Sequence, residues 1–143
     1  MSLDLPLHPG IVHYPIALLV AGAVASLVYE WRQVPWLRYW GTVSLLAGWL
    51  LTILALITGL VEKNAIPAGA PAEQVANQHT TAMFTMWILY GLALYWRYRW
   101  RDDMQSGHRR LIWATLLILA TLILLLAGHL GGTLVYELGV GVK

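Results

Sequence analysis

The sequence predicts an all-α integral membrane protein, a four-helix up-down-up-down bundle forming one transmembrane domain over residues 1–143. Three observations carry that reading. Hydrophobic residues make up 59% of the chain and charged residues 11%, whereas a soluble domain carries about 25% charged residues. Four stretches are each about 20 largely apolar residues long, which is what a bilayer core about 30 Å thick asks of a helix. Those stretches are apolar nearly all round. They show neither the stripe of a soluble surface helix nor the period-two alternation of a barrel strand.

The first span runs from about Ile11 to Tyr29 and the second from about Tyr39 to Val61. The third runs from about His79 to Tyr98 and the fourth from about Leu111 to Leu134. The first connection, Trp31 to Arg38, is a short turn containing Pro35. The second, Glu62 to Gln78, is longer and holds Pro67, Gly69 and Pro71. Pro71 followed by Glu73 reads as a helix start, with proline at the first helical position and an acid in the first turn. The third helix is therefore expected to begin near Pro71, above the lipid. The third connection, Arg97 to Arg110, is the most charged stretch of the chain.

Basic residues near helix ends set orientation in a bilayer. Arg32 and Arg38 flank the first turn, and Arg97, Arg99, Arg101, Arg109 and Arg110 crowd the third. The opposite side has Lys63 and Lys143. The two arginine-rich turns are expected to face the cytoplasm, with both termini and the Glu62–Gln78 loop on the outer, periplasmic side of a bacterial inner membrane. Trp31, Trp36, Trp40, Trp96, Trp100 and Trp113 cluster with Tyr29, Tyr39, Tyr95 and Tyr98 at the arginine end, as an aromatic belt at headgroup level. Trp49 and Trp87 fall deeper, where core packing is the expected role.

Several function classes drop out. The chain has no cysteine, so disulfides, thiolate metal sites and iron–sulfur clusters are excluded. Nine Lys and Arg, seven of them gathered at one end, do not make a nucleic-acid surface. No span carries a central charge or an obvious midplane break, which argues against a transporter. Ser2, Ser26, Ser44 and Ser106 lack His and Asp partners for nucleophilic catalysis. The first twelve residues contain Asp4, Pro6 and Pro9 and no basic region. The first hydrophobic segment is thus expected to stay in the mature protein.

The chemistry is expected from the histidines. His8, His13, His79 and His129 lie toward the outer side, while His108 sits in the arginine-rich turn. His13 is 17 residues from Glu30, His79 is 18 from Arg97 and His129 is 18 from Leu111. At a rise of about 1.5 Å per residue, each stands roughly 26–27 Å above the arginine end. Three imidazoles on three helices thus share one level, and the same count from Gly41 brings Gly59 to it. Gly128, Gly131 and Gly132 surround His129. The Gly128–Gly132 spacing serves close helix packing or makes room for a flat cofactor.

Ionisable residues within a membrane are functional-site candidates by default, and neutral imidazole ligates haem iron, copper or zinc. The first and third helices of an up-down bundle are diagonal, so His13 and His79 can approach a haem from opposite sides. His129 and His8 are the next candidates, for a second haem or in support of the first. His8 and His13 are about 140° apart on an ideal helix, so they share a ligand only if the helix starts after His8, for which Pro9 is suited. The alternatives are a copper or zinc ion in the same cluster, with oxygen ligands from Glu62, Glu73 or Glu137, and a cofactor-free structural or assembly subunit.

The opening Leu7-His8-Pro9-Gly10-Ile11-Val12-His13-Tyr14-Pro15-Ile16-Ala17-Leu18 resembles that of the DUF2231 family of small bacterial four-helix membrane proteins. So does the closing Gly131-Gly132-Thr133-Leu134-Val135-Tyr136-Glu137-Leu138-Gly139-Val140-Gly141-Val142, and so does His79 in Asn77-Gln78-His79. The resemblance covers the whole chain. It implies a cytochrome-like protein in a redox setting, because the domain is sometimes joined to Rieske-type or other redox modules. The resulting expectation is a small b-type cytochrome with one or two haem b groups. His13 and His79 form the first ligand pair, with His129 and His8 next, and Gly59, Gly128, Gly131 and Gly132 line the group. Electrons would be exchanged with a quinone or an external redox protein, and the chain would act as a homo-oligomer or a subunit of a larger membrane complex.

Overall fold

The computed structural model describes residues 7–104 and 107–141, with side chains described from Gly10 onward. Four long helices follow one another: α1 (Leu7–Arg32), α2 (Pro35–Lys63), α3 (Pro71–Arg99) and α4 (Gly107–Gly132). A π-helical segment, Thr133–Glu137, continues α4. Each helix begins ahead of its expected apolar span; α1, α2 and α3 also end beyond it, and α4 passes into the π-helical segment. Pro35 and Pro71 both stand at helix starts, where a missing N–H costs nothing. The Gly69 amide, in a left-handed turn (φ 79°), donates to the Glu73 carboxylate at 2.6 Å and fixes the entry to α3. α1 starts ahead of His8 rather than after it, and it continues through Pro15.

The bundle is two tight hairpins laid side by side. α1 packs chiefly on α2 and α3 chiefly on α4, while α2–α3 and α1–α4 touch more lightly. α1 and α3 therefore lie on a diagonal. The turn between α1 and α2 is closed by Gln33, a non-glycine residue at φ 52°. Its side-chain amide donates to the carbonyls of Tyr29 and Glu30, both at 3.1 Å, and so caps the end of α1.

The buried positions reveal a repeat that the uniform hydropathy conceals. On α2 they are Gly41, Leu45, Gly48, Thr52 and Ala55; on α4 they are Trp113, Leu117, Ala120, Leu124 and Ala127. Both sets alternate steps of four and three, the seam of a left-handed bundle. In lipid, helix association draws on close packing rather than on escape from water, so small residues matter most at such seams. A Cβ on Gly22 would sit 2.8 Å from the Leu45 amide nitrogen, and one on Gly48 would sit 3.0 Å from that of Leu19. The α1 and α2 backbones are in near contact there.

Two features tie the hairpins together. The indoles of Trp49 on α2 and Trp87 on α3 stack at 5.1 Å with their planes 3° apart. Each indole N–H donates to the other residue's carbonyl, at 2.9 and 3.2 Å. At the arginine end, Arg97 of α3 donates to Glu30 of α1 at 2.5 Å and lies over the Trp113 ring at 4.4 Å. Trp113 is consequently a core residue at 1% exposure, not a member of the interfacial belt. Trp31, Trp36, Trp40, Tyr39, Tyr95 and Tyr98 are exposed at that end, as a belt requires.

Three of the described helices are long and apolar enough to cross a membrane: α1, α2 and α4 with its π-helical continuation. α3 falls short of that measure because His79, Thr80, Thr81, Thr85, Trp87, Tyr90, Tyr95 and Trp96 dilute its hydropathy. Most of those groups are satisfied from within. Thr80, Thr81 and Thr85 donate to carbonyls four residues back. The Tyr90 hydroxyl is 2.9 Å from that of Thr121. Backbone and side-chain polar groups paired in this way meet the central demand a bilayer makes.

Candidate functional site

At the end opposite the arginines, the diagonal between α1 and α3 opens into a cavity of about 280 Å³. All four helices contribute walls, and so do the π-helical segment and the chain beyond it. The volume lies near the lower end of small-molecule sites, which run about 300–1,000 Å³. His13 of α1 and His79 of α3 both line it.

His79 is held in one orientation. Its Nδ1 lies 2.8 Å from the Ala127 carbonyl oxygen on α4. A carbonyl can only accept, so Nδ1 carries the proton and Nε2 keeps its lone pair. A backbone carbonyl on one ring nitrogen is the support that prepares the other to act as a ligand or acceptor. The approach depends on Gly131. A Cβ there would come within 3.2 Å of His79 Cε1, so a larger residue would press on the ring.

Gly59, Gly128, Gly131 and Gly132 all line the cavity. The structure also separates two uses of glycine. A Cβ on Gly128 would meet nothing within 4 Å, and one on Gly132 would meet only Tyr136 of its own segment, at 4.0 Å. Within the chain, this pair makes space and does not pack helix against helix. Close packing falls instead to Gly22, Gly41 and Gly48, which press on Leu45, Ser26 and Leu19 of the partner helix, and the seven-residue spacing of Gly41 and Gly48 was the available signal.

His129 is placed differently from expectation. It is exposed and does not line the cavity. The residue count fixed its height but not its angle: at about 100° per residue, the position after Gly128 turns away from the face carrying Leu124, Gly128 and Gly131. His8 lies in the first turn of α1, and its side chain is outside the described residues. Because α1 begins before His8, the condition under which His8 and His13 could serve one ligand together is not met. Of the three candidate oxygen ligands, Glu62 lines the cavity while Glu73 and Glu137 do not. Among the described residues, no three His, Cys, Asp or Glu side chains gather closely enough to hold a metal ion.

The C-terminal contribution was missed from the residues alone. Leu134, Val135, Tyr136 and Val140 form one wall. The chain is turned there by a Leu138 N–H to Thr133 carbonyl bond of 3.1 Å and a Val140 N–H to Leu134 carbonyl bond of 2.8 Å. Gly139, at φ 65°, permits the turn. The double glycine and the glycines of the closing motif were the signal in the sequence.

The model of the DUF2231 family, described as a predicted membrane protein, matches residues 4–143. No curated protein and no solved structure matches the chain.

Proposed function

Because the chain belongs to the DUF2231 family of predicted membrane proteins, its cavity sits in a membrane setting, and we propose that it is a small b-type cytochrome binding haem there. The observation that carries the reading is the pair His13 and His79. They come from diagonal helices, line one cavity, and include an imidazole whose Nδ1–H is already committed to a backbone carbonyl. A bis-histidine haem asks the protein for two ligands. A structural zinc asks for four and a catalytic one for about three, and the described donor set suits the smaller demand. The four lining glycines and an apolar wall suit a flat, largely apolar group.

Bound haem would supply reversible one-electron chemistry at its iron. The chain's part would be to hold the group through His13 and His79, to fix the His79 ring by the Ala127 carbonyl, and to exclude water with Leu124, Leu134 and Val140. Burial and the hydrogen bond on the His79 imidazole would tune the potential of such a group. A site at one end of the bundle would suit exchange with a membrane quinone or an external redox protein, with the chain acting as a subunit of a larger complex or as a homo-oligomer. The arginine-rich end faces the cytoplasm, all four helices cross a bacterial inner membrane, and both termini lie on the periplasmic side.

The test is the absorption spectrum of the purified protein. A Soret band that shifts on dithionite reduction, with about one haem per chain, is expected. It should weaken in His13→Ala and His79→Ala. A colourless protein carrying stoichiometric copper or zinc, or one whose pigment survives both substitutions, refutes the proposal.

A further inference from the structure

We propose that the arginine end carries a binding site for the phosphate group of a membrane phospholipid, formed where the end of α1, the start of α2 and the α3–α4 turn converge. The place is a second, polar cavity of about 60 Å³ that is distinct from the histidine cavity. Three guanidinium groups from separate elements line it, Arg38, Arg97 and Arg101, together with the carboxylates of Glu30 and Asp102. Its charge count is three positive and two negative, which leaves one positive charge for a ligand. A phosphodiester carries one negative charge.

The three arginines are not equivalent. Arg97 is committed to Glu30 at 2.5 Å, with the two side chains only 17% and 15% exposed, and it serves as a fixed wall. Arg101 is loosely engaged, 3.6 Å from an Asp102 carboxylate that is 91% exposed. Arg38 has no ion pair or aromatic face among the described residues. The uncompensated charge therefore rests on Arg38, with Arg101 able to turn toward the same ligand. Guanidinium groups suit phosphate because their paired N–H donors match two of its oxygens at once.

Depth favours a lipid as the source of that phosphate. Trp36, Tyr39, Trp40, Tyr95 and Tyr98 are exposed around this end, and such residues sit at the level of lipid headgroups. A phosphate presented at that level, with its acyl chains along the apolar faces of α2 and α3, reaches Arg38 without leaving the bilayer. Inorganic phosphate shares the chemistry but lacks the chains.

The experiment uses the full-length protein in an uncharged detergent, with native mass spectrometry and titrations of short-chain phosphatidylglycerol and of inorganic phosphate at matched ionic strength. One phosphatidylglycerol per chain should be retained. Arg38→Gln and Arg101→Gln should each weaken its binding roughly tenfold, the loss of one charge-assisted contact. Arg110→Gln, an exposed arginine outside the cavity, should leave binding unchanged. Equal weakening by Arg110→Gln would show diffuse attraction and overturn the proposal, as would wild-type binding by Arg38→Gln. Binding of inorganic phosphate with no retained lipid would overturn the lipid as occupant. Thermal melts of the variants, whose altered side chains are exposed, separate lost binding from lost folding.

Discussion

Replacing Gly22 with alanine and, separately, Gly128 with leucine tests the two uses of glycine in this bundle. A Cβ on Gly22 would lie 2.8 Å from the Leu45 nitrogen and 3.1 Å from the Gly41 oxygen. Both are backbone atoms of the facing helix, so relief requires α1 and α2 to part. Overpacking of this kind costs about 1–3 kcal/mol, and the better helix preference of alanine returns about 0.5–1 kcal/mol. The net is a loss of up to roughly 2.5 kcal/mol. At Gly128 a Cβ meets nothing within 4 Å, so the helix preference is gained and no packing is lost. Gly128→Leu should unfold no more easily than the parent, yet it places a side chain in the cavity wall and, on the proposed haem site, should lose bound pigment. The assay is dodecyl sulfate titration in mixed micelles followed by tryptophan fluorescence, with the pigment-to-protein absorbance ratio read on the same samples. If Gly128→Leu unfolds as readily as Gly22→Ala, the α4 glycines pack helices and the cavity reading fails. If it keeps full pigment, the group lies elsewhere.

Three further outcomes follow from single contacts. His129→Ala should leave the absorption spectrum unchanged, because His129 stands outside the cavity, whereas His79→Ala should abolish or broaden the Soret band; loss of pigment in His129→Ala would relocate the site. Gly139→Ala forces a side chain into the left-handed region at φ 65°, which costs about 1–2 kcal/mol. It should speed proteolysis of the C-terminal segment, and an unchanged cleavage rate would show that the turn is not held. Glu30→Gln removes the carboxylate from a largely buried Arg97. Loss of a charge-assisted bond should lower the unfolding free energy by about 1.5–3 kcal/mol, and a neutral result in the micelle titration would place the bond among exposed, solvated pairs.

α1, α2 and α4 were legible from hydropathy, and the start of α3 was legible because Pro71 and Glu73 leave little local choice. The level of His13, His79 and the lining glycines could also be read, since rise per residue is constant along a helix. Angle could not. His129 shares the height of the cavity but turns away from it, and deciding this needs the packed face of α4. That face is hidden when every side of a helix is apolar. Trp113 was misplaced for the same reason: a tryptophan near a helix end suits headgroups by composition, but the Arg97 guanidinium and the α3–α4 seam enclose it. The Ala127 carbonyl that orients His79 has no signature in the sequence, because any residue could supply it.

The two hairpins meet lightly, and this gives the candidate site a testable mechanical consequence. Two observed ties cross between them, the Trp49–Trp87 clasp and the Glu30–Arg97 pair. His13 and His79 also belong to different hairpins, so a group ligated by both would be a third tie whose geometry depends on the other two. Trp87→Phe removes one N–H donor, worth about 0.5–1.5 kcal/mol, and part of a stack of about 0.5–1.5 kcal/mol. Whatever share of that holds the hairpins at the ligating distance appears as lost affinity, where about 1.4 kcal/mol is tenfold. On the proposed haem site, Trp87→Phe should therefore weaken haem binding severalfold, up to about tenfold. Gly22→Ala, which acts inside one hairpin, should lower stability and leave affinity unchanged. Haem titration of the two apoproteins by absorbance separates them. Equal loss of affinity in both, or in neither, would show that the hairpins move as one body and that the ligand does not bridge them.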